Sequence, residues 1–471
     1  MMRMPVLAVF PALFCVFTQA AQAADFKIAP DRMAVVDGRR SFVLGLYEYP
    51  KDDAMLDAVA RAGFNLVFAG ADTAAMDRLQ AHGLKAWVNT GGAIDLDAGG
   101  EAALRELAGK CGSHPALMVW EVPDEALWNC WYSATEWRRG AEPAQQRDRI
   151  AALPDRALAE RLDQDRARVS ALFGQGRPVE AETLADAIWA ALGEKQPHPE
   201  WSLSTAQARS EKMAAGMVKG YKLLREIDPG HPVWMNHAPR NQVGQLAMFN
   251  AAADIAGCDI YPVPRCEWVG HSDLVEQTAA AAGAYTTRMQ SAAPGKPVWM
   301  VLQGFGWADI QPTAPPERRK AERRPTREET RFMAYDTIVR GGRGILYWGT
   351  MAIEKDSQCW NDLLSVVAEL SELQPALSAP DAELSLKTTL APTSGSVDRG
   401  VLVLPKDVNG ATWLIVVNEC IDPVQYTMEG LDKLNGTTFS DPAAGVEAAV
   451  ENGRITLPIA AQAVQVLRPR M

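Results

Sequence analysis

Three carboxylates follow an apolar run in residues 116–128. The run at residues 116–120 leads directly into Glu121, Asp124 and Glu125, and Trp128 comes soon after. Ionised carboxylates lose hydration when they crowd at the end of a buried strand, and each charge raises the pKa of its neighbours. Such crowding is typical of a site that tunes a carboxyl group for acid/base chemistry. Glu125 is the first candidate for that role.

Alternating strands and helices must position these carboxylates. We expect strands at residues 41–50, 64–69, 84–89, 116–120, 232–237, 255–262, 297–303 and 344–349. Helices are expected at residues 52–62, 76–82, 102–110, 206–227, 242–252, 274–290, 326–339 and 360–373, the seventh opening with the capping box Thr326 to Glu329. Eight such units predict a (β/α)8 TIM barrel of the α/β class. The rival is a doubly wound open sheet, which usually carries a Gly-rich phosphate loop after its first strand, and this sequence has none there.

Three further segments complete the predicted organisation. Residues 1–23 have the pattern of a signal peptide, with a basic start, an apolar core and a small-residue cleavage site. A membrane anchor is the alternative, but the apolar core is shorter than the roughly 20 residues that a span needs. The barrel is expected over residues 24–375, with a helical insertion at about 136–200 that serves as a decoration or as a wall over the site. Residues 376–471 show alternating strands and turns, a pattern that predicts an antiparallel β-sandwich.

Charge and cysteine content narrow the function classes. The net charge of −11 argues against binding to nucleic acid or to an anionic membrane surface. Six cysteines remain after the predicted leader, which permits disulfides in an exported protein, and free buried thiols are the alternative. The cysteine spacing contains no CxxC pair, so it does not indicate a zinc site.

Aromatic and hydrogen-bonding residues should converge at the mouth of the predicted barrel. Barrel enzymes place their active site at the carboxyl ends of the strands. The strand ends deliver Tyr47, Glu48, Asn89, Glu121, Asp124, Glu125, Trp128, Tyr132, Asn236, His237, Asp259, Tyr261, Gln303, Phe305, Trp307, Tyr347 and Trp348. Flat rings stack on the C–H faces of a sugar, while carboxylates and amides pair with its hydroxyl groups. No Lys or Arg ends a strand, so a phosphate ligand is disfavoured, and Asn236, His237 and Asp259 are a weaker indication of a metal.

Several motifs resemble the retaining glycoside hydrolases of the large (β/α)8 clan. The likeness covers roughly residues 33–375, and it depends on the order of the motifs around the barrel. They are His114-Pro115-Ala116-Leu117 with Trp120 and Pro123-Asp124-Glu125, then Asp259-Ile260-Tyr261-Pro262, Gln303-Gly304-Phe305 and Gly344-Ile345-Leu346-Tyr347-Trp348-Gly349. The resemblance implies that Glu125 is the general acid/base, although Asp124 stands where the clan usually has Asn. It also places Gln303 where the clan has its nucleophilic Glu, and an amide cannot form a glycosyl ester.

Three explanations are compatible with the missing nucleophile. Glu48 or Glu121 could supply the second carboxylate, although either could also be structural, Glu121 by pairing with a barrel arginine. Adjacent Asp124 and Glu125 resemble the substrate-assisted hexosaminidases, in which a 2-acetamido group attacks and the Asp orients it. The protein could also bind glycans without cleaving them. Asp259 is expected to anchor a neighbouring loop.

We therefore predict an exported glycoside hydrolase with no cofactor and no metal. The predicted catalytic residues are Glu125, Asp124 and Glu48, and the predicted substrate-binding residues are Tyr47, Trp128, Asn236, Tyr261, Gln303 and Trp348. The alternative is a catalytically inactive glycan-binding barrel of the cell envelope, and a lyase or transglycosylase is a weaker rival. The sugar, the linkage, the stereochemical outcome, the disulfides and the oligomeric state stay open at this stage.

Overall fold

The computed structural model describes residues 25–265, 271–311, 313, 315–392 and 400–470. The predicted signal peptide and Cys266 lie outside the described residues. Within these ranges no helix is long and apolar enough to cross a membrane. Within the same ranges no disulfide joins any two of the cysteines, which are Cys111, Cys130, Cys258, Cys359 and Cys420.

A small antiparallel sheet precedes the barrel. It consists of β1 (Phe26–Ile28), β2 (Ala34–Val36) and β3 (Arg39–Ser41). Asp37 and Gly38 both have positive φ, 50° and 76°, as the two-residue turn of a twisted hairpin requires. The strand expected over residues 41–50 is interrupted at Phe42, so Ser41 ends β3 and the first barrel strand begins at Val43.

Eight parallel strands close into a barrel, as the sequence predicts. They are β4 (Val43–Leu46), β5 (Leu66–Phe68), β6 (Lys85–Asn89), β7 (Leu117–Glu121), β8 (Val233–His237), β9 (Ile255–Ile260), β10 (Val298–Gln303) and β11 (Gly344–Trp348). Pairing of β11 with β4 closes the ring. Residues of β7, β8, β9 and β10 are buried throughout, which explains their near-continuous apolar sequences. The barrel interior is therefore a packed core, and the carboxyl ends of the strands meet on one face.

Helices surround the barrel in the predicted order. They span Asp53–Ala62, Thr73–Ala81, Glu101–Cys111, Ala126–Glu136, Glu142–Ala151, Arg156–Gly174, Pro178–Ala191, Ala206–Ile227, Val243–Asn250, Ala281–Ala292, Trp307–Ile310, Pro316–Ala321, Arg327–Val339, Gln358–Glu372 and Gln374–Leu377. A π-helical turn at Trp137–Ala141 joins the fourth helix to the fifth, and short 3-10 turns lie at Gly91–Ile94, Leu96–Ala98, Thr350–Ala352 and Asp432–Leu434.

Local sequence signals fix several helix ends. The Thr326 side chain accepts the Glu329 N–H at 3.2 Å and the Glu329 carboxylate accepts the Thr326 N–H at 2.9 Å, so the capping box is confirmed. The helix expected from residue 274 begins only at Ala281. There the Glu276 carboxylate accepts hydrogen bonds from the N–H and the hydroxyl of Thr278, and such local bonds compete with the helix.

The insertion after β7 forms a helical layer with its own small core. Arg138 is buried and donates at 2.9 Å to both Glu142 and Asp186, which joins the start of the insertion to its last helix. Ile150 and Leu162 belong to its apolar cluster. Only the first helix, Ala126–Glu136, contributes residues to the cavity described below.

The C-terminal domain consists of two antiparallel sheets, consistent with the predicted sandwich. Its strands are β12 (Lys387–Leu390), β13 (Val401–Val408), β14 (Ala411–Asn418), β15 (Val424–Glu429), β16 (Thr438–Asp441), β17 (Val446–Ala449), β18 (Arg454–Ile459) and β19 (Val464–Pro469). The strand order is β12-β15-β18 in one sheet and β13-β14-β19-β16-β17 in the other. Ile415 and Val466 pack into the barrel's core cluster, and Glu419 pairs with Arg340 of the barrel, so the two domains share an apolar interface.

Candidate functional site

A cavity of about 490 Å³ opens at the carboxyl ends of the barrel strands. Its described lining consists of Tyr47, Asp124, Glu125, Trp128, Asn129, Tyr132, Asn236, Asp259, Tyr261, His271, Trp307, Ile310 and Trp348. Most of the predicted site residues thus lie together. Two of them, Glu48 and Gln303, are not part of this lining.

Glu125 lies at the turn between β7 and the helix Ala126–Glu136. Its backbone is left-handed, with φ 52° and ψ 32°, which is uncommon for a residue with a side chain and is typical of strained functional sites. Its N–H donates to the Asn236 carbonyl at 3.2 Å, which ties the turn to the end of β8. Burial, followed by the charge of Asp124, raises the pKa of Glu125 to about 7. The carboxyl group therefore retains a proton near neutral pH.

Asp124 is held beside Glu125 by an amide. Asn236 Nδ2 donates to Asp124 Oδ1 at 2.9 Å, and burial raises the pKa of Asp124 despite this hydrogen bond. Asn236 itself is buried, and its Oδ1 has no hydrogen-bond partner among the described residues. The amide thus orients Asp124 with its nitrogen and keeps an acceptor oxygen available.

Asp259, at the end of β9, is the third carboxyl group of the cavity. Burial, followed by the charges of Glu125 and Asp124, raises its pKa well above the ordinary range. Its interaction with Glu125 lowers the pKa of Glu125 and raises that of Asp259, so the two carboxyl groups influence each other's protonation. Asp259 Oδ1 is buried and has no partner of normal hydrogen-bond geometry within the described ranges.

His271 packs against this carboxyl group in its neutral form. Its Nδ1 accepts the Tyr261 N–H at 2.8 Å, so Nε2 carries the proton, and that nitrogen lies 3.7 Å from Asp259 Oδ2. Burial, followed by the charge of Arg240, lowers the pKa of His271 to about 3. The imidazole is therefore a neutral neighbour that does not compensate the charge of Asp259.

Glu121 lies beneath the cavity and outside its lining. Tyr47 Oη, Trp87 Nε1 and Asn89 Nδ2 donate to its carboxyl group at 3.0, 3.1 and 2.9 Å. The arginine partner considered from the sequence is replaced by these three neutral donors. Burial and the charge of Asp124 raise the pKa of Glu121 to about 8, so Glu121 extends the acidic cluster below the floor of the site.

Aromatic rings form three stacked pairs on the cavity wall, and Tyr261 belongs to two of them because it also stacks with His271 at 4.7 Å. Tyr261 and Trp348 stack with centroids 5.3 Å apart and an interplanar angle of 16°. Trp128 and Tyr132 stack at 5.6 Å on one face of the helix that follows Glu125. Such flat, partly apolar surfaces match the C–H face of a pyranose ring, while the carboxyl groups between them match its hydroxyls.

Glu48 and Gln303 are engaged elsewhere. Glu48 Oε2 accepts hydrogen bonds from Thr350 Oγ1 at 2.8 Å and Lys355 Nζ at 2.6 Å. Gln303 accepts the Val263 N–H at 2.9 Å, and its Nε2 donates to the carbonyls of Val263 and Phe305. Their predicted catalytic and binding roles stay predictions. These contacts, however, show each side chain holding a neighbouring loop.

The metal considered from the sequence would require His237 beside Asp259. His237 Nε2 instead lies 3.0 Å from Asn250 Oδ1, and burial lowers the pKa of His237 to about 4. No group of three or more His, Cys, Asp or Glu side chains in the described part of the chain is arranged to hold a metal ion.

Asn129, His271 and Ile310 are lining residues that the sequence did not reveal. Asn129 follows Glu125 by four residues on a helix, so the helical period carries a weak signal for it. His271 comes from the loop after β9 and Ile310 from the short helix Trp307–Ile310 after β10, and no spacing pattern predicts how such connections fold back.

Comparison with known proteins identifies the fold. No family model and no curated protein matches the sequence. Among solved structures, a glycoside hydrolase family 5 protein from Bacteroides vulgatus aligns with a TM-score of 0.52 and 14% identity over 94% of this chain and 93% of that chain. A family 42 β-galactosidase from G. stearothermophilus gives a TM-score of 0.49 and 10% identity over 95% and 100% of the two chains. Both of these solved structures are of glycoside hydrolases, and the likeness to the family 5 protein, at 14% identity, shows the fold alone.

Proposed function

We propose that this protein is a glycoside hydrolase and that Glu125 is its general acid. The proposal rests on one observation above the others. Glu125 faces a cavity with stacked aromatic rings, and its environment raises its pKa to about 7. A carboxyl group that holds its proton near neutral pH is suited to protonate the oxygen of a departing sugar.

The neighbouring residues have distinct roles in this proposal. Asp124 raises the pKa of Glu125 through its charge, and Asn236 keeps Asp124 in place. Trp348, which is half-buried, provides a face on which the sugar ring stacks, and the buried Tyr261 packs against it. Because Glu48 and Gln303 contact loops, we assign the second catalytic function to Asp124 or Asp259, the other carboxyl groups that line the cavity. If Asp259 is the second catalytic group, it activates a water molecule. If Asp124 is that group, it orients a substituent of the substrate that attacks in place of water.

Glycan binding without cleavage is the second candidate. It is favoured by Gln303, an amide whose hydrogen bonds are all directed to the backbone, at the place where the resembling clan has its nucleophile. A binder would show saturable affinity for a glycan and no turnover, whereas a hydrolase would show both.

A panel of chromogenic glycosides, assayed with the full chain, tests the proposal. We expect turnover of at least one glycoside and a fall in kcat of about 10²-fold or more for Glu125→Gln, the range typical of losing a general acid. Glu136→Gln makes the same chemical change at the exposed end of the same helix and serves as the matched control. Full activity of Glu125→Gln would overturn the assignment, and calorimetric binding without turnover would favour the binder.

We also propose that residues 1–23 direct export and are then removed. This proposal rests on the sequence pattern of that segment. N-terminal sequencing of the protein recovered from outside the cytoplasm tests it. An intact Met1 on that material would contradict it.

A further inference from the structure

The cavity lining carries acidic charge without a compensating cation. Asp124, Glu125 and Asp259 line it, and no Lys or Arg belongs to the described lining. Elsewhere the chain pairs a partly buried carboxylate with cations: Arg343 and Lys406 contact Asp381 and lower its pKa. Asp259 is buried, Glu125 is half-buried and Asp124 is exposed, so holding Asp259 above all as a carboxylate is costly unless a ligand supplies positive charge.

Two acceptor atoms in the cavity also lack partners. Asn236 Oδ1 and Asp259 Oδ1 are buried, their side chains about 2% exposed, and neither has a hydrogen-bond partner among the described residues. Buried polar atoms normally have a partner, so unpaired acceptors in a ligand cavity indicate a ligand that brings donors. An ammonium group brings three N–H donors together with the missing positive charge.

We infer that the cavity binds an amino sugar whose free ammonium group lies against Asp124, Asn236 and Asp259. This inference rests on the proposed function, which it deepens by assigning the substrate class: glycosides of 2-amino-2-deoxyhexoses with an unsubstituted amine. The half-buried ring of Trp348 favours the same ligand, because an aromatic face attracts both the sugar's C–H face and a nearby cation. Sugars that carry a carboxylate or a sulfate would meet like charge and are disfavoured.

Binding of an ammonium group should also release protons. Carboxyl groups that are protonated in the free protein become carboxylates when they contact the cation. The ionisable or charged groups around the position are Asp124, Glu125, Asp259, the underlying Glu121, Tyr47, Tyr261, Cys258, the neutral His271, and Arg240, which donates to the His271 carbonyl. Of these, the three lining carboxyl groups are the ones that a bound cation contacts directly.

Calorimetric titration of the full chain with matched methyl glycosides tests the inference. The probes are the methyl glycosides of glucosamine and galactosamine, their N-acetylated forms, and the 2-hydroxyl sugars glucose and galactose. We expect an amine to bind at least about tenfold more tightly than its neutral counterparts, as charge-assisted hydrogen bonds are roughly twice as strong as neutral ones. Titrations at about pH 6, where the sugar amine already carries its proton, in two buffers of different ionisation enthalpy should show net proton release for the amine alone. In Asp259→Asn the preference should fall to about twofold or less.

The outcomes separate this inference from the function on which it rests. Equal or tighter binding of the neutral sugars, or no proton release by the wild-type chain, overturns the amino-sugar assignment. Cleavage of neutral glycosides with no preference for amines overturns it while the hydrolase proposal stands. Preferential binding of the amine with no cleavage of any glycoside, amino or neutral, supports the ligand class and overturns the hydrolase proposal.

Discussion

Replacing Asp124 by Asn should move the alkaline limit of activity to lower pH. Glu125 must be protonated to act as an acid, so activity should fall as pH rises through its pKa of about 7. The rise of this pKa from 4.5 to about 7 corresponds to roughly 3 kcal/mol of preference for the protonated form. Burial is the larger cause of the raised pKa and the charge of Asp124 is the second. Removing that charge should therefore lower the alkaline limit of activity by about one pH unit.

The assay is kcat/KM against pH with any glycoside that the protein cleaves. Normalised to the acid plateau, Asp124→Asn should be about tenfold less active than wild type on the alkaline side. Asn129→Asp provides a test of opposite sign, because Asn129 lines the same cavity and its Nδ2 donates to the Asp124 carbonyl at 3.2 Å. The added carboxylate should raise the alkaline limit. If neither variant moves it, Glu125 is not the group whose protonation limits the reaction.

Three further changes test other parts of the account. Glu48→Gln should retain activity within about tenfold of wild type and should lower the free energy of unfolding by about 1–3 kcal/mol, because it breaks the contact between the buried Glu48 and Lys355. A loss of activity as large as that of Glu125→Gln would restore the predicted catalytic role of Glu48. Trp348→Ala should raise KM about tenfold by removing a stacking face, and an unchanged KM in steady-state assays would contradict the stacking role. Asp336→Asn should flatten the pH dependence of stability. Burial, followed by the charge of Glu419, raises the pKa of Asp336 in the folded state, so the wild-type protein loses stability as the pH rises above the ordinary aspartate pKa of 3.8. Equal slopes of Tm against pH for the variant and the wild type would refute this.

The barrel and much of its mouth could be predicted because their signals are local. Apolar runs of strand length, helix caps and the order of the units specify eight strands and place Glu125, Asp124 and Tyr261 on the same face. The contact between Glu125 and Asp259 could not be predicted in the same way. It depends on the register between β7, β8 and β9, which the sequence does not encode within any single segment.

Side-chain partners of buried charges were the other part that sequence reasoning missed. Glu121 was a candidate for an arginine partner, but the barrel gives it Tyr47, Trp87 and Asn89 from neighbouring strands. Glu48 was a candidate catalyst, but the loop after β11 brings Lys355 to it across more than 300 residues of chain. Strands β12, β16 and β17 were also missed because each has only four residues, and β18 was missed because Pro458 interrupts its alternating pattern.

The dependence of rate on leaving group tests the role of Glu125 most directly. A general acid matters most when the departing oxygen is a poor leaving group, and matters little when that oxygen leaves without a proton. For Glu125→Ala, we predict that kcat/KM falls by about 10²-fold or more on an alkyl glycoside and by less than about tenfold on the dinitrophenyl glycoside of the same sugar. Equal losses on both glycosides would contradict proton donation by Glu125.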